Sequence, residues 1–344
     1  MTGKERLRRA LKGECSDRPP SDFWAEAVTK ERLFTYLEHR DLDRFLDDMG
    51  VDIREADAAA PPETHLGNGV YQNYWGERYV YRTLPYGKMR DDMPGALHEA
   101  ESLEEIQAFP WPVNDDFDYT GLEERCREIR DKGCAVRYGF ADIWQRPTLV
   151  RGMENALVDM HENPAWIKWM GRRFTDFYLE DYRRAWEASG GRVDLFTVLS
   201  DLGTQNGPLI SLDMFYEFIF PYLKEMADLA HSFGAGLFFH SCGDISSFIP
   251  HIITAGVDVL NPLQPVNQNM QPESLAKYKG RICFHGGIDV QRLLPSATPP
   301  EIHAQARRYS DTLGPGYILA PTHLFQPDIP PENIIAVYES FGAR

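Results

Sequence analysis

A histidine and a cysteine stand two residues apart in the stretch FFHSCGDI, residues 238–245. In extended backbone, side chains two residues apart point to the same face, so His240 and Cys242 could both face one bound ion. Imidazole nitrogen and thiolate sulfur are ligands that zinc prefers. The spacing by itself leaves three interpretations open: half of a metal site, a redox thiol, or the buried end of a strand.

Other ligand-type side chains follow later apolar runs. His323 comes two residues after GYILAP and is the predicted third ligand beside His240 and Cys242, which would leave one zinc position for substrate. Cys283 and His285 repeat the two-residue spacing. Both could supply alternative ligands. We interpret Cys283 otherwise as a core residue, and His285 as a candidate catalytic residue.

Polar residues in neighbouring loops are candidates for substrate contacts. Asp201 opens the loop LGTQNG and is a second candidate catalytic residue. Its alternative role is to cap the helix that begins near Ser211. Gln205, Gln264 and Trp24 are the predicted substrate-binding residues. A redox role is less favoured, because the chain contains no C-x-x-C pair.

These residues need elements that bring them to one place. Long stretches with helical periodicity, such as Pro164–Ala188 and Leu212–Phe233, alternate with short apolar runs. This alternation predicts a parallel sheet covered by helices, in the form of a (β/α)₈ TIM barrel, whose carboxyl strand ends carry the site. A doubly wound open sheet is the alternative. The predicted strands are 21–24, 51–57, 135–142, 194–201, 236–240, 257–262, 281–286 and 316–321.

Residues 68–99 break the alternation. They mix aromatic and polar residues in the pattern of a β-meander, inserted after the second predicted strand. We expect residues 1–344 to form a single barrel domain, with 68–99 as a β-rich excursion near its mouth.

Composition limits the function classes. The 344 residues carry a formal charge of −16, which argues against a nucleic-acid partner. No apolar run approaches the roughly 20 residues that span a bilayer, so we expect no membrane association. The five cysteines form no close-spaced framework, and the N-terminus lacks the apolar core of a signal peptide. A cytoplasmic enzyme is the expectation.

Several segments together resemble the uroporphyrinogen decarboxylase superfamily. They are the opening KERLRRALKGE with the following DRPP, then FFHSCGDI, TAGVDVLNPLQP, RICFHGGID and GYILAPTHLFQPDIPPENI. The resemblance spans nearly the whole chain and is most specific from about residue 195 onward. It implies a (β/α)₈ barrel, in agreement with the strand pattern.

That superfamily has two main branches. The decarboxylases use no metal and hold a tetra-acid porphyrinogen with an arginine-rich segment after the first strand. Here that segment reads SDFWAEAVTKERLF, with Trp24 and Glu26 in place of the cations. The chain therefore resembles more closely the corrinoid-dependent methyltransferases, which carry zinc on an H-x-C motif and a third ligand. That third ligand is usually cysteine, whereas His323 stands at the matching position.

The resemblance implies a zinc-dependent methyltransferase. It would move a methyl group between a small substrate or thiol and a corrinoid (cobalamin) cofactor on a partner protein, since no D-x-H-x-x-G cobalamin motif is present. One alternative is a metal-free decarboxylase, a lyase, acting on a smaller acid. Another is a non-catalytic ligand-binding barrel or a corrinoid-protein chaperone. Nothing in the sequence predicts the oligomeric state.

Overall fold

The computed structural model describes residues 1–85 and 87–342. Tyr86, within the predicted 68–99 excursion, and residues 343–344 at the end of the predicted domain lie outside the described residues. In chain order, the strands are β1 (Ile53–Glu55), β2 (Thr64–Gly67), β3 (Val70–Gln72), β4 (Arg78–Leu84), β5 (Gly87–Met93), β6 (Ala135–Asp142), β7 (Leu195–Leu199), β8 (Gly203–Thr204), β9 (Gly207–Pro208), β10 (Gly236–His240), β11 (Val259–Leu263), β12 (Cys283–Ile288) and β13 (Tyr317–Pro321). The α-helices are α1 (Gly3–Leu11), α2 (Ala27–Leu37), α3 (Leu42–Asp48), α4 (Leu103–Ala108), α5 (Leu122–Asp131), α6 (Gln145–Arg151), α7 (Met153–Glu162), α8 (Pro164–Ala188), α9 (Leu212–Phe218), α10 (Phe220–Ser232), α11 (Ile249–Ala255), α12 (Pro272–Leu275), α13 (Pro299–Leu313) and α14 (Pro331–Glu339).

The main sheet is parallel and has seven strands in the order β1-β6-β7-β10-β11-β12-β13. Helices connect its consecutive strands, and every residue of β10 and of β13 is buried. Strands buried on both faces are expected where helices cover a parallel sheet. The predicted α/β class is confirmed, and the curled sheet has a TIM-barrel-like form.

The predicted strand at 21–24 is wrong as a regular strand, because this segment makes only isolated parallel bridges. The Asp22 carboxylate accepts the backbone N–H of Phe23 at 2.8 Å, which removes that donor from a strand ladder. The segment still bonds on both sides. Asp22 N–H donates to the Leu319 carbonyl of β13 at 3.0 Å, and the Ser21 carbonyl accepts N–H groups at the start of β1. It thus joins the two edges of the sheet.

A small apolar core fills the interior of the curled sheet. Each strand of the main sheet contributes one buried residue, Trp24 adds an indole from the joining segment, and two residues of α1 close one end. Layers of inward side chains make such a barrel a packed core and not a pore. Its buried members are Leu7, Ala10, Trp24, Ile53, Ala135, Leu195, Phe238, Val259, Cys283 and Ile318.

A second sheet lies within residues 64–93. It is antiparallel, with the order β2-β3-β4-β5, and begins four residues before the predicted excursion. The role of 68–99 as an insertion near the mouth of a single 1–344 domain stays a prediction.

Helix boundaries follow proline positions. The pattern at 164–188 forms α8 with the same bounds, and Pro164 supplies its first residue. The pattern at 212–233 is divided into α9 and α10, because Pro221 has no N–H to continue the first helix. Among residues 1–85 and 87–342, no helix combines the length and apolar character of a bilayer span.

Candidate metal centre

Three predicted ligands come together at the carboxyl edge of the sheet. His240 is the last residue of β10, Cys242 follows two residues later, and His323 lies two residues beyond β13. Although β11 and β12 separate these strands, the curl of the sheet brings the ligand atoms within 4.8 Å of one another. The Cys242 sulfur lies 3.5 Å from His240 Nε2.

Asp201 holds the loop that carries the cysteine. Its Oδ1 accepts the backbone N–H of Cys242 at 2.8 Å and lies 3.5 Å from His240 Nε2. The alternative capping role is wrong, because the Ser211 hydroxyl itself accepts the Met214 N–H at the start of α9. Asp201 is therefore in contact with two of the three predicted ligands.

Glycine backbones allow the loops after β7 and β10 to meet. A Cβ on Gly203 would lie 2.6 Å from the Cys242 carbonyl oxygen, and one on Gly243 would lie 2.4 Å from the Gly203 backbone. Gly243 also has a φ of +84°, a conformation that other residues adopt at a cost. Gln264, a predicted substrate-binding residue, accepts the Gly243 N–H at 2.8 Å and so fixes this loop.

His285 lies behind the predicted ligands and not in the cavity beside them. Its side chain is 1% exposed, and its Nε2 lies 3.1 Å from Asp22 Oδ2. Its Nδ1 lies 2.7 Å from Asn261 Nδ2, and Asn261 Oδ1 lies 2.5 Å from His240 Nδ1. A buried chain of polar contacts therefore runs from Asp22 to His240. Any effect of His285 on substrate must pass through this chain.

Trp24, predicted to bind substrate, packs in the same interior. Its ring stacks on His240 at a centroid distance of 6.0 Å, and its Nε1 donates to Asp22 Oδ2 at 2.7 Å. The Arg137 guanidinium lies over the indole, 4.6 Å from its centroid. With 8% of its surface exposed, Trp24 mainly supports the His240 ring.

The two histidines of the centre have opposite electrostatic surroundings. Burial opposes charge on His240, but the Cys242 sulfur and the Asp201 carboxylate outweigh it and raise the pKa well above its usual value. Burial also opposes charge on Asp201, yet hydrogen bonding and the charge of His240 lower its pKa. Burial and the neighbouring His240 lower the pKa of His323, which keeps a nitrogen lone pair available.

A cavity of about 520 Å³ opens beside two of the predicted ligands. Cys242 and His323 line it together with Gln205 and Gln264, so the structure brings two predicted substrate-binding residues to the same space. Trp24 and His285 do not line it. Cys283 is 3% exposed in the interior core, where burial raises the pKa of its thiol to about 12.

Sequence reasoning assigned no role to Asn261 or Asp22. A signal for Asn261 was present, since it ends the run VDVLN on the strand after His240. In the sheet it is the register partner of His240. For Asp22 the signal was weaker, because an acid shortly after two prolines is typical of many loops.

Comparisons with solved structures identify similar folds. A methyltransferase from Methanosarcina mazei is 14% identical, with a TM-score of 0.74 over 99% of this chain and 98% of that chain. An uncharacterized protein from Parabacteroides distasonis is 12% identical over 94% of this chain and 98% of that chain, but its TM-score is 0.42. The first likeness shows a shared fold, and the second is too distant to support an argument. No curated protein matches this chain significantly.

A family model gives a more direct assignment. The model described as uroporphyrinogen decarboxylase (URO-D) matches residues 146–343, more than half of the chain. The matched range contains β7 to β13 and all three predicted ligands. The chain belongs to the uroporphyrinogen decarboxylase family.

Proposed function

We propose that the protein is a zinc-dependent methyltransferase that moves a methyl group between a small substrate or thiol and a corrinoid on a partner protein. His240, Cys242 and His323 would hold the zinc. The observation that carries the proposal is the approach of their three ligand atoms to within 4.8 Å, beside a cavity. Two imidazoles and one thiolate, with one position left for substrate, make a catalytic zinc set.

The hydrogen bonds around His240 fit this role. Asn261 Oδ1 can only accept, so with a neutral ring the proton of His240 lies on Nδ1 and the Nε2 lone pair faces Cys242. The Asn261 amide can then donate to His285 Nδ1, and His285 Nε2–H to Asp22. Ligating histidines characteristically donate their second N–H to such a partner, which fixes the tautomer and the ring direction.

Zinc bound here would supply a Lewis acid that favours the thiolate, the nucleophilic form of a thiol. The protein's own residues position the Cys242 loop and orient the substrate. Asp201 fixes the backbone of Cys242, Gln264 fixes the next residue, and the amides of Gln205 and Gln264 border the space for substrate.

The metal-free decarboxylase alternative finds less support. Acidic substrates are held by guanidinium or ammonium groups. Among the described residues that line the cavity, none is lysine or arginine. Arg137 is 1% exposed and lies 3.3 Å from the Asp22 carboxylate, so its charge already faces an acid.

Elemental mass spectrometry of the purified protein tests the metal. We expect about one zinc per chain in the wild type, loss of that zinc in Cys242→Ala, and retention in the matched control Cys283→Ala, whose thiol lies in the interior core. A carefully prepared wild type that takes up no zinc when zinc is offered would refute the proposal.

Activity is measured separately, with methylcobalamin as methyl donor and a small thiol as acceptor. We expect cob(I)alamin and a thioether to form in equal amounts, and His240→Ala to lose this turnover while keeping its circular dichroism spectrum. Zinc binding without any methyl transfer, even when corrinoid proteins extracted from the source cells are added, would favour the non-catalytic alternative.

A further inference from the structure

A second cavity adjoins the one at the metal centre. Its volume is about 390 Å³, and Val290, Gln291 and Gln326 line both cavities. On its far side the second cavity is lined by Leu84 and Met89 from the β4–β5 hairpin. A cleft therefore extends from the cysteine and histidine ligands to the antiparallel sheet.

The hairpin is held against the main body at this point. Gly87 approaches α2 so closely that a Cβ there would lie 2.8 Å from a methyl carbon of Val28. Gly87 has a φ of +140°, which also disfavours any side chain. The close packing keeps Leu84 and Met89 beside the loops after β12 and β13, where they border the cleft.

The lining of the cleft is uncharged apart from one acid. Among the described residues, neither cavity is lined by lysine or arginine, and Asp328 is the carboxylate that lines the second cavity. The polar lining near the metal ligands consists mainly of side-chain amides. These amides belong to Gln205, Gln264, Gln291 and Gln326.

This lining discriminates between substrates by their charge and polarity. A negative charge on the part of the substrate away from the reacting atom would lie in a protein of net charge −16, and no lysine or arginine among the described lining residues would replace its hydration. A neutral substrate gives up much less hydration free energy when it enters the cleft. If its reacting sulfur, oxygen or nitrogen lies at Cys242 and His323, an attached apolar group would extend past the residues that line both cavities toward Leu84 and Met89.

We propose that the substrate is an uncharged small molecule in which the methylated or methyl-accepting heteroatom is joined to an apolar group, and that the β4–β5 hairpin forms the apolar subsite. This inference rests on the proposed function for the position of the reacting atom. It assigns to the antiparallel sheet a part in substrate selection.

Isothermal titration calorimetry of the purified protein tests the inference with three probes: butane-1-thiol, hexane-1-thiol and 3-mercaptopropionate. We expect hexane-1-thiol to bind about tenfold more tightly than butane-1-thiol, as two further buried methylenes imply. We expect 3-mercaptopropionate to bind at least about tenfold more weakly than butane-1-thiol, because its carboxylate lacks a cationic partner.

Leu84→Asp and Leu66→Asp form a matched pair on the same antiparallel sheet. The side chains are similarly exposed, at 43% and 48%, but only Leu84 lines the cleft. We expect Leu84→Asp to bring the ratio of hexane-1-thiol to butane-1-thiol affinity close to one, and Leu66→Asp to leave it unchanged. Equal ratios in the two variants, or tighter binding of 3-mercaptopropionate, would overturn the inference.

The ranking of the three probes requires no metal, whereas the proposed function does. A protein without zinc that still ranks the probes as expected would refute the proposed function and support the apolar subsite. A zinc protein with the opposite ranking would refute the subsite alone.

Discussion

Two sides of the same sheet edge differ in how their polar groups are satisfied. On the ion-pair side, formed by residues 20–25 and the ends of β1 and β6, opposite charges face each other. Arg137 lies 3.3 Å from Asp22 and 3.2 Å from Glu55. On the donor side, formed by the ends of β10 to β13, Cys242 and His323 border a cavity.

The comparison separates structural polarity from a candidate site. Arg137 and Asp22 are both almost fully buried and compensate each other's charge, and such pairs are expensive to break. Soft donor atoms beside open space have the opposite property, since a cation or substrate can still approach them. The chain from Asp22 through His285 and Asn261 connects the two sides.

The largest effect is expected for Asp142 on the ion-pair side. Burial raises its pKa from 3.8 to about 7, against the opposing charge of Arg146. The folded state thus holds this proton more tightly than the unfolded chain, so the stabilising contribution is complete below about pH 4 and is lost as the pH rises through 7. A shift of about three units corresponds to about 4 kcal/mol.

Melting curves of Asp142→Asn and wild type at several pH values measure this effect. We expect the amide variant to be more stable above pH 7, and the difference to vanish near pH 4. The exposed Asp311→Asn on α13 is the control and should follow the wild type at each pH. A constant difference between Asp142→Asn and wild type at all pH values would show that the carboxylate is not destabilised by burial.

His323 gives the next largest effect, on the donor side. We expect His323→Ala to lower zinc affinity by more than the roughly 10–100-fold that loss of an outer partner causes, because it removes a proposed ligand. His323→Cys should retain zinc, since thiolate is an equally suitable ligand. Competition with a chromophoric chelator measures both. Full affinity in His323→Ala would exclude this side chain from the ligand set.

A substitution at Asn261 tests the polar chain that connects the ion-pair side with the donor side. We expect Asn261→Ala to weaken zinc binding by about 10–100-fold, since His240 loses the acceptor that fixes its tautomer. The cobalt-substituted protein should also show an altered visible spectrum, which a purely structural defect elsewhere would not produce. Asn267→Ala, a change at another buried asparagine, is the control. An unaltered spectrum and affinity in Asn261→Ala would remove Asn261 from the centre.

Much of the fold could be predicted from local patterns. β6 and β10 have the predicted bounds, because short, mainly apolar runs between helical stretches indicate buried parallel strands. α8 likewise keeps its bounds. The segment at 21–24 could not be predicted correctly, because the Asp22 carboxylate competes with the strand ladder for a backbone donor.

The candidate site was predictable in its donor types but less so in its arrangement. His240 and Cys242 were recognisable from their spacing, and His323 from its place after the last strand. The burial of His285 was not, because a residue at a strand end points inward or toward the loops according to the local register and curl. The contact between Asn261 and His240 also depends on rotamers that no spacing encodes.

The sequence by itself determined the alternation of strands and helices, the ligand-type residues at strand ends and the family of the chain, since these depend on local periodicity and residue type. Only the tertiary structure decided that His323 lies near Cys242, that Asp22 and Asn261 support His240, and that the antiparallel sheet adjoins the cleft. Those relations arise from the curl of the sheet and the packing of distant segments. Contacts between residues far apart in the chain depend on how all the strands and helices pack together, which local sequence patterns do not specify.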